Sequence, residues 1–270
     1  MAEHLELSRA VSRYVQDGDT VALEGFTHLI PFAAGHEIIR QGKRNLTVSR
    51  LTPDLIYDQL IGAGCVRKIL FSWGGNPGVG SLYRFRDAVE NGWPNPIELE
   101  EHSHAGLTNR YVAGASGLPF TVMKGYLGTS LGQIASHVRF LDCPFTGEPM
   151  AAVRALNPDV GILHAQRADR LGNVQVWGIS GVFREVVMAS RRVIITVEEV
   201  VDELERHPGD FVIPAMAVTA VCPAPFGARP SYVQDYYDRD NDWYRRWPGL
   251  SKGRDAFQAW VEESVMGARG

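Results

Sequence analysis

The sequence predicts an α/β fold, an open and mostly parallel sheet with helices on both faces. Two observations carry this. Short apolar runs of strand type alternate with amphipathic stretches of about 8 to 12 residues, the order that βαβ crossovers require. Glycine-rich or polar segments then follow several of the apolar runs, at the carboxyl ends where open parallel sheets keep their chemistry.

The elements follow in order. Leu5, Ala10, Val11 and Tyr14 recur at helical spacing, and Asp17-Gly18-Asp19 stops that helix. Thr20-Val21-Ala22-Leu23 is a strand ended by Glu24-Gly25. A helix over 32–40 follows Pro31, a residue suited to the first helical turn. Leu46-Thr47-Val48 is a second strand, 53–62 a helix, and Arg67-Lys68-Ile69-Leu70-Phe71 a third strand. Residues 72–80 are glycine-rich, 82–90 read as a helix, and Ile97-Glu98-Leu99-Glu100 as a strand. After a looser stretch near 125–148 the pattern resumes with strands at Val160-Gly161-Ile162-Leu163-His164 and Val193-Ile194-Ile195-Thr196-Val197. From Pro223 the chain is dense in Pro, Gly, Tyr and Trp and ends in a helix over 256–265. The expected organisation is a single domain over 1–270, with 223–270 an extension that wraps the body or a partner.

Composition narrows the function classes. Hydrophobic residues make up 45% and charged residues 21% of the 270, as in a globular protein with a full core. The net charge of −4 leaves no basic field for nucleic acid or an anionic membrane, so neither partner is expected. Cys65, Cys143 and Cys222 are scattered without a CxxC pair, which argues against a disulfide framework or structural zinc. The N-terminus has no apolar signal core, and no run approaches the ~20 residues of a membrane span. A cytoplasmic location is the expectation.

Four segments stand at strand ends. In the 24–31 loop, Gly25 permits close backbone approach, and free N–H groups at the following helix start suit a carboxylate or oxyanion. By spacing alone a plain turn is the commoner meaning, and His28 by itself is more often a half-buried turn residue. Residues 72–80 hold four glycines and a proline but fit neither the P-loop nor GxGxxG. A substrate-lining loop and a tight turn are equally open there. Glu100-Glu101-His102-Ser103-His104 sets carboxylates beside imidazoles, which suits proton handling or tautomer control. No further ligand makes a metal site compelling, and a solvated strand end is the bland alternative. If the strand continued, Glu101 and Ser103 would share one face and His102 and His104 the other. Asp169, Gly172 and Asn173 read as a turn, and Glu198-Glu199 with Asp202-Glu203 as a solvated helix start.

Several of these segments, in this order, resemble the alpha subunits of family I coenzyme A transferases. The family's N-terminal signature runs from Asp/Asn-Gly through three apolar residues to Gly-Gly-Phe and a loop ending in Pro. Here it reads Asp17-Gly18-Asp19-Thr20-Val21-Ala22-Leu23-Glu24-Gly25-Phe26, then Thr27-His28-Leu29-Ile30-Pro31, with Glu24 in place of the first glycine and a loop one residue shorter. Ile97-Glu98-Leu99-Glu100 continuing to Ala113-Gly114-Ala115-Ser116-Gly117, then Ala168-Asp169-Arg170-Leu171-Gly172-Asn173, and Thr196-Val197-Glu198-Glu199-Val200-Val201 are similar to further family segments. Counted from Ile97, His104 takes the position of a site-lining glutamine in the 3-oxoacid transferases. The run from Pro223 to Asp240 is similar to glutaconate-transferase-type alpha subunits.

The resemblance implies the CoA-transferase, sugar-phosphate-isomerase-like sheet and ping-pong CoA transfer between an acyl-CoA and a carboxylic acid, dicarboxylic or 3-oxo. The acylated glutamate belongs to a beta subunit, in a heterodimer or heterotetramer, since this length has room for one half only. Coenzyme A is then a substrate, with no permanently bound cofactor and no metal. His104 is the expected catalytic contact with the acceptor acid or thioester oxygen, and Glu101 is expected to orient a neighbouring histidine. Gly25, Phe26, Thr27, His28, Gly74, Gly75 and Asn76 are expected to bind substrate or oxyanion, and Arg50, Arg84 or Arg110 a second carboxylate. Two rivals stay open: a ring-opening type acyl-CoA hydrolase on the same scaffold, and a non-catalytic ligand-binding protein.

Overall fold

A computed structural model describes residues 2–267. In chain order the elements are β1 (Glu3–His4), α1 (Leu7–Tyr14), β2 (Thr20–Leu23), α2 (Phe32–Arg40), β3 (Leu46–Ser49), α3 (Leu55–Gly62), β4 (Val66–Phe71), α4 (Tyr83–Asn91), β5 (Glu98–Glu101) and α5 (His104–Ala115). Next come β6 (Phe120–Met123), α6 (Ser130–Ile134), β7 (Val138–Asp142), β8 (Pro149–Arg154), β9 (Val160–Asp169), β10 (Val174–Val176), α7 (Phe183–Ala189), β11 (Arg192–Val201), β12 (Phe211–Ile213) and β13 (Ala220–Pro223). The last are α8 (Asn241–Ser251) and α9 (Arg254–Trp260), which runs on into a π-helical turn, Val261–Met266.

Eight strands pair in parallel in the order β1-β13-β11-β9-β2-β3-β4-β5, and β10 and β12 join beside β9 through antiparallel pairing. Alternation along the strands divides the core between two faces. Val21 and Leu23 of β2, with Val160 and Ile162 of β9, pack under α1, α2, α3, α8 and α9. Ala22, Leu163, Ala165 and Ile195 point the other way, under α5 and α7. Helices therefore cover both faces, as the sequence pattern predicts.

The fold departs from the sequence-based expectation in two places. Residues 120–154 are not a loose stretch: β6, β8 and β7 form a separate antiparallel sheet. Its inner side holds Val138, Ala151 and Val153 around Tyr126, with Phe140 opposite Ala151 on the same face, while Phe120 and Val122 face outward. Apolar residues on both sides blur the period-2 signal. The expected helix start at Glu198-Glu199 is instead strand, because β11 stays in register with β9 as far as Val201 opposite Asp169.

The chain beyond β13 crosses the carboxyl ends of the strands before packing along α2 and α3. Trp243, Trp247, Phe257 and Trp260 form an aromatic cluster there, and Trp247 Nε1 donates to Asp58 Oδ2 at 2.8 Å. Burying a side chain of that size contributes about 2–3 kcal/mol. No helix among the described residues is long and apolar enough to cross a membrane.

Candidate functional site

The loop after β2 is built on buried charge. Glu24 is 3% exposed and accepts from the Leu51 N–H at 3.0 Å. Burial pushes its carboxyl up to about 7, against the pull of Arg50 and of backbone N–H groups. Arg50, just past β3, donates through Nη1 to Asp54 Oδ1 at 2.9 Å and through Nη2 to Gly25 O at 2.6 Å. Gly25 lies at φ +159°, and a Cβ there would stand 2.5 Å from Leu29 O. Thr27 and Leu29 both hold positive φ, at 64° and 55°, although neither is glycine. Such backbone persists where its surroundings over-determine it. Here Ser231 Oγ donates to Thr27 O at 3.0 Å, and Leu29 N donates to Tyr232 O at 3.1 Å. Phe26 is half-buried, Thr27 exposed. His28 is fully buried, stacks on Tyr232 at 4.8 Å and has no hydrogen-bond partner at either ring nitrogen. Burial lowers its pKa to about 4, so the ring is neutral.

One strand further on lies a constellation that the sequence does not reveal. His164, on β9, meets Glu198 Oε1 through Nε2 at 2.7 Å and Thr196 Oγ1 through Nδ1 at 2.8 Å, both on β11. Glu198 also accepts from Tyr237 OH at 2.6 Å and from the Phe226 N–H at 2.7 Å. Burial would raise the Glu198 carboxyl, but His164, Tyr237 and that N–H together hold it below the ordinary value. The available signal was the register: β9 and β11 are neighbours, and His164 and Thr196 are paired residues in it.

The 72–80 loop has a split character. Gly74 is exposed, whereas Gly75 and Asn76 are buried. Asn76 Nδ2 donates to Tyr244 O at 2.8 Å, and Arg239 Nη2 to Pro77 O at 2.8 Å, so this loop is tied to the C-terminal segment.

At the sheet edge, β5 ends at Glu101 and the alternation expected beyond it does not occur. Ser103 caps α5, accepting from the Gly106 N–H at 3.0 Å, and His104 is the first helical residue. Glu101 and His104 are both exposed. The carboxylate that contacts His102 is Glu100, at 3.2 Å, not Glu101. Burial alone would raise the Glu100 carboxyl, but His102, Arg110 and Lys68 hold it well below the usual range. His137 adds a third potential ligand, with both ring nitrogens unpartnered, and burial lowers its pKa to about 3. Ligand atoms of Glu100, His102 and His137 lie within 4.8 Å of one another. However, Arg110 donates to both Glu100 and His102, and Lys68 Nζ sits 2.7 Å from Glu100. Fixed cations thus stand where a metal ion would.

Three strand spacings, roughly 14 Å, separate β2 from β5, so the 24–29 loop and His104 follow strands that are not neighbours in the sheet. The arginines expected to take a second carboxylate are not available for it. Arg50 is bound as above, Arg84 by Asp87 and Lys252 O, and Arg110 by Glu100 and Arg154 O, all buried.

Known proteins share this sequence and this architecture. The family model for coenzyme A transferases matches residues 4–224. The chain belongs to the coenzyme A transferase family. It is 58% identical over 269 residues to the A subunit of 3-oxoadipate CoA-transferase from Pseudomonas knackmussii, covering 100% of this chain and 95% of that one. Among solved structures, glutaconate coenzyme A-transferase of Acidaminococcus fermentans superposes with a TM-score of 0.93 at 32% identity, covering 99% of this chain and 90% of that one. The decarboxylase AibA/AibB gives a TM-score of 0.86 at 29% identity, with 97% of each chain covered.

Proposed function

We propose that this chain is the alpha-type half of a two-subunit CoA transferase, active only with a beta subunit that carries the acylated glutamate. The observation that carries this reading is the 58% identity, over the whole chain, to the A subunit of a 3-oxoadipate CoA-transferase. In the reaction the partner's glutamate attacks the acyl-CoA carbonyl and expels CoA thiolate, leaving a mixed anhydride. The thiolate then attacks the glutamyl carbonyl, releases the first acid and leaves a glutamyl-CoA thioester. The acceptor acid takes CoA by the same steps reversed. Coenzyme A is a substrate throughout.

This chain supplies the opposing wall. The 24–29 loop, with Gly25, Phe26, Thr27 and His28, presents backbone donors to the oxygen that gains charge. Donors pre-set in this way contribute about 3–4 kcal/mol each. Gly74 and Gly75 border the same end of the sheet, Asn76 anchors their loop, and His104, with Glu101 beside it, contacts the far part of the acid. The segment from 223 onward serves as a wrapping extension of the single domain, a reading supported by its bonds to both loops.

Both named transferase relatives act on a dicarboxylic acid, which supports a dicarboxylic substrate here. Arg229, exposed and stacked 4.6 Å from the Phe226 ring and 5.2 Å from the Tyr237 ring, is in no ion pair among the described residues and is free to take the second carboxylate. The test is co-expression with the adjacent reading frame, addition of acyl-CoA, and trapping of the thioester with borohydride or hydroxylamine. The label is expected on the partner, with CoA passing to 3-oxoadipate and no free CoA released in its absence. His104→Ala is expected to lower kcat/KM for the acid by about tenfold to a hundredfold, the value of one charge-assisted hydrogen bond. A label on this chain, or steady release of CoA without an acceptor, sinks the assignment.

A further inference from the structure

Arg50 is 1% exposed, and a guanidinium so placed costs several kcal/mol to desolvate unless it is paired. Asp54, also buried, supplies the countercharge. What that pairing leaves unexplained is the second bond, from Nη2 to Gly25 O at 2.6 Å. This carbonyl lies beyond the end of β2, and no ladder or turn requires a charged donor on it.

The geometry of the peptide unit gives the bond a consequence. The Gly25–Phe26 peptide is trans, and in a planar trans unit the C=O and N–H point in opposite directions. With Gly25 O bonded to Arg50, the Phe26 N–H is turned away from the guanidinium. That N–H donates no hydrogen bond among the described residues. A cation on the carbonyl oxygen also polarises the unit and makes its N–H a stronger donor. Gly25 completes the device, because a Cβ at this position would collide with the His28 and Leu29 carbonyls that bring the loop back over it. Arginine suits the task where lysine does not: one rigid fork spans Asp54 and Gly25 O together.

We propose that Arg50, braced by Asp54, is a positioning residue of the transfer site, aiming the Phe26 N–H at the carbonyl oxygen that becomes negative when thioester or anhydride is attacked. The inference rests on reading the 24–29 loop as the oxyanion-binding element. It also explains why a buried arginine cannot double as a carboxylate receptor, since both of its terminal nitrogens are committed.

The experiment uses the complex of this chain with its beta partner and the variants Arg50→Lys and Asp54→Asn. Steady-state kinetics and amide hydrogen exchange of the peptide spanning 24–31 are measured on each. Arg50→Lys is expected to lower kcat by about a hundredfold, the scale of one lost oxyanion donor. KM for acyl-CoA is expected to stay within about threefold, because the contact acts in the transition state. Exchange should quicken in 24–31 and not across the sheet. Asp54→Asn keeps the guanidinium but loosens it, for an intermediate fall of about tenfold. It decides the matter by the same readouts if Arg50→Lys does not fold.

A fall in kcat with unchanged exchange in 24–31 overturns Arg50 as the positioning residue while leaving the loop reading intact. Quickened exchange with kcat near wild type overturns the loop reading itself, and the proposal with it. No change in either measurement rejects both halves of the proposal, and a loss of stability with KM and kcat shifting together assigns Arg50 a structural role only.

Discussion

Replacing Glu24 by glutamine tests the electrostatics beneath the candidate loop. Burial raises this carboxyl to about 7, from an ordinary value of 4.5. Between those two pH values the folded chain holds a proton that the unfolded chain has released. Unfolding therefore becomes easier as pH rises, by about 1.4 kcal/mol per pH unit at the steepest. The stabilising contribution is fully present below 4.5 and is lost as pH passes through 7, a total of roughly 3 kcal/mol. Glu24→Gln keeps the shape and abolishes the titration. Wild type and variant are unfolded in urea in parallel at half-unit steps of pH, with protein and partner concentrations fixed. The stability of wild type minus that of the variant is expected to fall by roughly 3 kcal/mol between pH 4.5 and 7.5 and to level off above. A difference that stays flat, or that rises with pH, refutes the reasoning. A carboxylic-acid band lost from the infrared spectrum of the variant near neutral pH would support it independently.

Two further outcomes follow from the geometry. Gly25→Ala places a Cβ 2.5 Å from Leu29 O, so the backbone of the loop must shift; kcat is expected to drop about a hundredfold or more and the melting temperature to fall with it, read by transfer assay and calorimetry side by side at a temperature where the variant stays folded. Glu100→Gln strips the carboxylate from Lys68, Arg110 and His102 and is expected to destabilise the chain by about 3 kcal/mol near neutral pH in denaturant titration. Because the folded chain holds this carboxyl below its ordinary value, the wild-type advantage is present above about 4.5 and disappears as the pH falls through the lower folded value.

The parallel sheet was legible because its strands are buried on both faces and so appear as unbroken apolar runs; Thr20 to Leu23 and 32–40 coincide with their elements. The Asp169 turn was equally legible, since Asp169 Oδ1 accepts from the Leu171 and Asn173 N–H groups and Gly172 supplies φ +90°. What stayed hidden depends on pairing across the chain. Glu198 looks like a solvated acid until β11 aligns with β9 and His164 comes within 2.7 Å. Glu100 and Glu101 are indistinguishable in sequence; only the direction of each side chain from β5 tells which meets His102, and His137 is 35 residues away from that histidine along the chain. The small antiparallel sheet is hidden because its outward side chains Phe120 and Val122 are as apolar as its inner ones.

The contacts that lock the 24–31 loop come from a segment some 200 residues later, as in the Thr27–Tyr232 pair. Tyr244 and Arg239, on the same late segment, clasp the 72–80 loop. During synthesis the sheet strands can assemble as they emerge, but the hydrogen bonds from Ser231 Oγ to Thr27 O and from Leu29 N to Tyr232 O form only once Ser231 and Tyr232 have been made. Closing so long a stretch comes late in folding. The C-terminal segment thus acts as a clasp that joins the 24–31 and 72–80 loops across long stretches of chain.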